Sequence, residues 1–257
     1  MNILLTIVVC FFAGAGAGIG TGFAGMSAAA VVGPILVTFL GMTPYHAVGI
    51  GLISDVLASA VSAYTYKKGG NLNIKDSLPM MISVLVTTII GSYLAKFLPD
   101  RTMGSTMQIA LIIVGLRFII KPVTTTKEQM HSIPKKERIT KSIIGGSIVG
   151  LICGTVGAGG GMMMLFVLTT FLGYQMHVAV GTSVFIMAFT ALTGGLSHFA
   201  IGGLPDILPL CFCVLFTFIW ARIAAAIANK SNTKTLNRVV GIVMILTSLI
   251  ILIVNCF

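Results

Sequence analysis

Charge is scarce in this chain. Asp, Glu, Lys and Arg together make up 9% of its 257 residues and hydrophobic side chains 56%, whereas a soluble domain carries about a quarter charged residues. With a mean hydropathy of +1.06, most of the surface of this fold faces lipid. Acidic residues are rarest, six against 16 basic ones, for a formal net charge of +10. The excess does not point to nucleic acid, because the basic residues stand in short segments between apolar runs with no aromatic-rich platform beside them. They read as topology signals and as contacts to anionic lipid. Cysteines are five, an odd number, and Cys10, Cys153, Cys211, Cys213 and Cys256 all lie in apolar runs without ligand spacing. Neither a disulfide framework nor a metal site is expected, and no cofactor motif is present. A His-Glu-x-x-His, paired intramembrane carboxylates and a nucleophile elbow are also missing, which argues against an enzyme. The opening MNILLTIVVCFF has no basic residue before its apolar stretch, so it is expected to belong to the fold rather than to a cleaved leader.

What is present in quantity is apolar sequence in lengths near 20 residues, enough to cross a hydrocarbon core at helical rise. Inside it, TFLGMTPYHAVG (Thr38 to Gly49) and TFLGYQMHVAVG (Thr170 to Gly181) agree at seven of twelve positions at an offset of 132. The same offset superposes Gly18, Gly22 and Gly25 on Gly150, Gly154 and Gly157. The chain is an internal duplication. Repeat one covers residues 1–120, a basic linker 121–141 and repeat two 142–257. The expected fold is all-α and polytopic: two inverted repeats, each a glycine-broken helical hairpin followed by three transmembrane helices.

The breaks are placed at two glycine clusters, Gly14 to Gly25 and Gly154 to Gly161. Glycine costs about 1 kcal/mol against alanine inside a helix, and such clusters suit a membrane helix that stops, turns and restarts. The alternative is close helix packing through small residues. If both broken segments return to their starting side, Lys96 and Arg101 fall on one face and the other fourteen Lys and Arg on the opposite face. By the positive-inside rule this sets both termini outside and the linker in the cytoplasm.

A helix that restarts inside the membrane presents unpaired N–H groups at the positive end of its dipole, which is an anion cradle without a charged side chain. In repeat two Gly157, Gly159, Gly160 and Gly161 would let an anion approach the backbone; in repeat one Gly25 and Ser27 occupy the matching region, with Ala28 and Ala29 following. Thr182 and Ser183 offer hydroxyls to an oxyanion, or bond locally to the preceding turn. Asp55 is the one carboxylate expected deep in a span, where an acid faces a cavity or a partner; Ser59 and Ser62 follow on its helix face. Asp55 is a candidate for the coupling proton or a structural donor. His198, near the outer end of its span, is a second proton-relay candidate or an interfacial residue.

The run G-T-V-G-A-G-G-G at Gly154 to Gly161, the H-V-A-V-G-T-S at His177 to Ser183 and the weaker first copy ending in Gly33-Pro34 resemble the TauE/SafE sulfite exporter family over essentially the whole chain. The resemblance implies a cytoplasmic-membrane carrier for small, often sulfur-containing anions such as sulfite or sulfonates, driven by the proton gradient. Gly157 to Gly161 and Thr182-Ser183 match its pattern, whereas Met26 to Ala29 depart from the usual glycine run. A passive anion channel on the same scaffold and a membrane-embedded enzyme are the alternatives. The anion, the direction of movement and the oligomeric state are not legible in the residues.

Overall fold

The computed structural model describes residues 3–94, 100–126, 128–129, 134–156 and 160–256. Ten helices and no strand are found among them. Repeat one contributes α1 (Ile3–Ala24), α2 (Ala29–Leu40), α3 (Pro44–Lys68), α4 (Ile74–Leu94) and α5 (Asp100–Ile120). Repeat two contributes α6 (Lys135–Val156), α7 (Gly160–Thr170), α8 (Met176–Gly202), α9 (Ile207–Lys230) and α10 (Thr233–Cys256). Six helices are long and apolar enough to cross a membrane, while α2 and α7, of 12 and 11 residues, are too short to do so alone. The α6 helix begins inside the segment read as a linker, because Lys135 to Lys141 already make its first turns.

Both short helices double back beside the helix before them. Gly16 of α1 lies against Val31 of α2, at 3.3 Å from where a Cβ would stand to Val31 Cγ1. Each then ends on the repeated Thr-Phe-Leu-Gly. Gly41 and Gly173 take φ of +62° and +64°, a left-handed conformation that glycine adopts without steric cost and that terminates a helix. The conserved spelling of this motif in the two halves therefore encodes a helix stop.

The glycine clusters divide into two uses, and this corrects the sequence reading of where the first break falls. The α1 helix runs without interruption to Ala24 and breaks only over residues 25–28. Gly14, Gly18 and Gly22 form a stripe on α1 that presses on α9: a Cβ on them would stand 2.6 Å from Phe216 Cβ, 2.6 Å from the Thr217 carbonyl and 2.6 Å from Ala224 Cβ. Gly146 and Gly150 of α6 do the same against α4, where a Cβ would meet the Met80 carbonyl at 2.8 Å and the Val84 carbonyl at 2.5 Å. The glycines superposed by the duplication thus pack the first helix of each half onto the fourth helix of the other half. In lipid, where apolar burial drives no association, such close approach supplies the dispersion that holds helices together.

Two further pairs, α3 with α8 and α5 with α10, set a helix against its own counterpart, and α3 packs in addition on α9 and α2. Polar links gather at one end of the bundle. Asn71 Nδ2 donates to Asn229 Oδ1 at 2.7 Å, His177 Nε2 meets the Ser231 carbonyl at 2.8 Å, Val123 N–H donates to Asn237 Oδ1 at 2.8 Å, and Arg138 pairs with Asp76 at 2.8 Å. His177 is 6% exposed and joins the start of α8 to the end of α9. Arg117 donates to Thr170 Oγ1 at 2.8 Å at this same end. Outside the spans, burial pushes the Tyr174 phenol up to about 12, helped by the negative charge of Asp76 and opposed by Arg138.

Candidate functional site

Where the first break meets the start of α7, the bundle is hollow. A cavity of about 210 Å3 is lined by Ser27 from the first break, Leu52 and Asp55 from α3, Thr88 from α4, Cys153 and Gly154 from α6, Gly160 from α7, and Met187, Thr190, Ala191, Gly194 and His198 from α8. Asp55 lies near the middle of the 25-residue α3, and Met187 and Thr190 near the middle of the 27-residue α8, so the cavity is at mid-depth.

Close backbone approach builds it. Gly161 stands against the Gly25 carbonyl and the Met187 thioether, so the turn of the first half touches the restart of the second. A Cβ on Gly51 would be 2.5 Å from Ala29 Cα; this contact seats α3 on the first turn of α2, and one turn later Asp55 arrives beside the start of that helix. α2 has no side-chain cap of its own at Ala28. Instead, Ser27 and the Ala28 backbone neighbour the Asp55 carboxyl, an arrangement in which the acid sits at the positive pole of α2. Ser59 Oγ donates to Asp55 Oδ1 at 2.9 Å, while Oδ2 has no partner at hydrogen-bonding geometry and is fully buried. Thr88 Oγ1 is likewise buried without a partner.

Four of the residues singled out from the sequence, Ser27, Asp55, Gly160 and His198, therefore line one chamber. Gly25 and Gly161 touch one another next to Met187 but are not among the lining residues. Gly157 and Gly159 lie outside the described residues. Thr182 and Ser183 are fully buried but are not among the lining residues. Ser183 donates to the Val180 carbonyl at 2.9 Å, the local bond weighed as the alternative, and packs on Gly25; Thr182 Oγ1 has no partner. His198 stacks on Tyr45 with ring centroids 4.5 Å apart, and the Tyr45 hydroxyl donates to the His198 carbonyl at 3.1 Å. Residues missed by the sequence reading are Leu52, Thr88, Cys153, Met187, Thr190, Ala191 and Gly194. Met187 was available by symmetry, since the offset of 132 carries Asp55 onto it.

A polytopic helical bundle whose small central cavity holds a buried acid among mostly apolar side chains suits a membrane transporter. The family model for the sulfite exporter TauE/SafE matches residues 10–251, and the chain belongs to that family. Among curated proteins it is similar to "Probable membrane transporter protein YunE" of Bacillus subtilis (strain 168), 24% identical with 96% of each chain covered. It is also similar to "Probable membrane transporter protein YdhB" of the same organism, 26% identical over 97% of this chain and 100% of the relative. No solved structure matches.

Proposed function

We propose that the chain is a secondary transporter that moves a small anion, most simply a sulfur oxyanion or short organosulfonate resembling sulfite, across the cell membrane. A proton on Asp55 couples the movement, and access alternates between the two sides. The observation that carries this reading is the meeting of two helix restarts, at Ser27 and Gly160, around a buried acid with an unpartnered oxygen. Helix amino termini attract anions without a cationic side chain. The Thr88 hydroxyl, buried without a partner, is on hand to donate to an oxyanion, with Ser27 lining the same cavity; Thr190 already donates to the Met187 carbonyl at 3.0 Å.

The repeats run in opposite senses in this proposal. Support comes from the polar end, where α6 begins and the 14 basic residues of the positive-inside count belong, while α1 begins at the other end with Tyr45 and His198. Both termini are then outside and the linker is cytoplasmic. Cross-half packing of α1 on α9 and α4 on α6 survives exchange of the halves, as rocking of one unit against its twin requires. Anionic lipid headgroups would meet the basic cytoplasmic end.

The test is uptake and efflux of labelled sulfite, thiosulfate and short sulfonates by the purified chain in proteoliposomes with an imposed pH gradient. Accumulation against the anion gradient, abolished by a protonophore, is expected. Downhill flux alone would make the chain a channel, and no flux of any of these anions would overturn the assignment.

A further inference from the structure

The two helix restarts differ in what faces them. At the first, Asp55 lies beside Ser27 and the Ala28 backbone. At the second, Met187 occupies the position equivalent to Asp55, and its uncharged thioether rests on Gly161. Each restart contributes about half a positive charge, so the pair balances one negative charge. Among the described residues, no Lys or Arg lines the cavity. The titratable groups among the described residues that share the cavity with Asp55 are His198 on α8 and Cys153 on α6; α1, α2, α4 and α7 bring none to it, and Arg222 of α9 is exposed on the outside of the bundle.

We infer that the chamber holds one negative charge at a time, so that the carrier takes monoanions, rejects dianions, and moves each anion together with one proton in an electroneutral cycle. This rests on the transport reading above and adds the charge class of the substrate. When the chamber is empty, the ionised Asp55 plays the part of the substrate, held by Ser59, Ser27 and the α2 dipole. When a monoanion sits at Gly160, Asp55 carries a proton, its Oδ2 then being a donor able to point at the guest. The charge in the chamber is one in both states, and each cycle delivers one proton and one monoanion to the same side. Sulfite is carried in its singly protonated form.

The probes are methanesulfonate and sulfate, two tetrahedral sulfur anions differing in charge, added to proteoliposomes of the full chain, with flux followed by label and proton movement by an internal pH dye. Methanesulfonate is expected to enter with one proton per anion, and a potassium diffusion potential should leave its accumulation unchanged. A carrier moving one net charge would instead shift that accumulation about fiftyfold per 100 mV. Sulfate, with a unit charge left unbalanced, should move about a hundredfold more slowly. Sulfate flux within a few fold of methanesulfonate, or voltage-driven methanesulfonate accumulation, overturns the inference and leaves the transporter standing. Failure of both anions and of sulfite to move overturns the two readings together. Asp55→Asn, a fixed neutral side chain, is expected to make methanesulfonate flux voltage-dependent; wild-type measurements decide the matter should that variant misfold.

Discussion

Replacing Gly18 by alanine tests whether the α1 glycine stripe is an interface or a weak point. A Cβ there would lie 2.6 Å from the Thr217 carbonyl oxygen, 2.7 Å from the Ala221 nitrogen and 2.8 Å from Trp220 Cβ. Two of these are backbone atoms of α9, which cannot rotate away. Because an unstrained C···O contact needs about 3.3 Å, the two helices must part by roughly 0.7 Å. A gap of that size forfeits about a quarter to a half of each dispersion contact across the seam, and overpacking costs about 1–3 kcal/mol. Alanine also brings a gain of about 1 kcal/mol in helix propensity, so the matched comparison is Gly33→Ala on α2, where the new Cβ would meet only Val48 Cγ2 at 3.6 Å. The propensity gain is common to both, and Gly18→Ala should therefore be less stable than Gly33→Ala by about 1–3 kcal/mol. Thermal unfolding in detergent measures the difference. The single tryptophan of the chain, Trp220, sits at the seam and should change its emission in Gly18→Ala alone. Equal stability of the two variants, with unchanged Trp220 emission, would refute the packing account and return the stripe to the break.

Three further outcomes are expected. Asp76→Ala should lower stability by about 1–2 kcal/mol, between the values for exposed and fully buried pairs, since the side chains of Arg138 and Asp76 are 12% and 20% exposed; unchanged urea or thermal midpoints would contradict it. Asn229→Ala removes the acceptor of Asn71 Nδ2 and the donor to the Thr65 carbonyl at 3.2 Å, and should cost about 1–3 kcal/mol in the same assay. Cys153, in a background lacking the other four cysteines, should react with a small methanethiosulfonate and be slowed by transported anions, because it lines the cavity with Gly160; labelling indifferent to every transported anion would detach the chamber from transport.

Much of this fold was legible because lipid simplifies the reading. Apolar runs near 20 residues announced membrane-crossing helices, and α3, α4, α8, α9 and α10 are long and apolar enough to be such spans, as is the unbroken α1; the repeated Thr-Phe-Leu-Gly proves to end α2 and α7. What the composition of a glycine cluster could not say is which glycines bend and which pack. Gly18 and Gly25 look alike in sequence, but Gly25 takes φ +62° and Gly18 faces α9 from within a helix. The difference lies in a partner 199 residues away, near Thr217. At the site, chemical rarity was informative: the single deep acid, Asp55, does line the chamber. Cys153, Thr88 and Thr190 were invisible because single hydroxyls and thiols in apolar runs are ordinary, and only the crossing of α4, α6 and α8 gives them a common target. Thr182 and Ser183, prominent in sequence, are spent on the packing behind the wall.

The symmetry that equates Asp55 with Met187 also equates His198 with Tyr66, and these two close opposite ends of the α3–α8 pair. The cavity extends to His198 but not to Tyr66. Tyr66 is fully buried, packs its ring on Gly181, and donates from its hydroxyl to the Gly22 carbonyl at 3.0 Å, tying α3 to α1 between the chamber and the polar end. Both partners of this bond are in repeat one, so rocking of whole halves would leave it intact, and opening this end of the bundle requires α1 and α3 to part within that half. Tyr66→Phe keeps the ring and deletes the bond, worth about 1 kcal/mol, which shifts a two-state equilibrium about fivefold toward the other conformer. Ser62, fully buried with its hydroxyl unpartnered one turn from Tyr66, lies on the path that would then open. Labelling of Ser62→Cys from the polar side should rise about fivefold when Tyr66→Phe is added. An unchanged rate, in a protein of unaltered stability, would mean that Tyr66 seals nothing and that the closed end lies elsewhere.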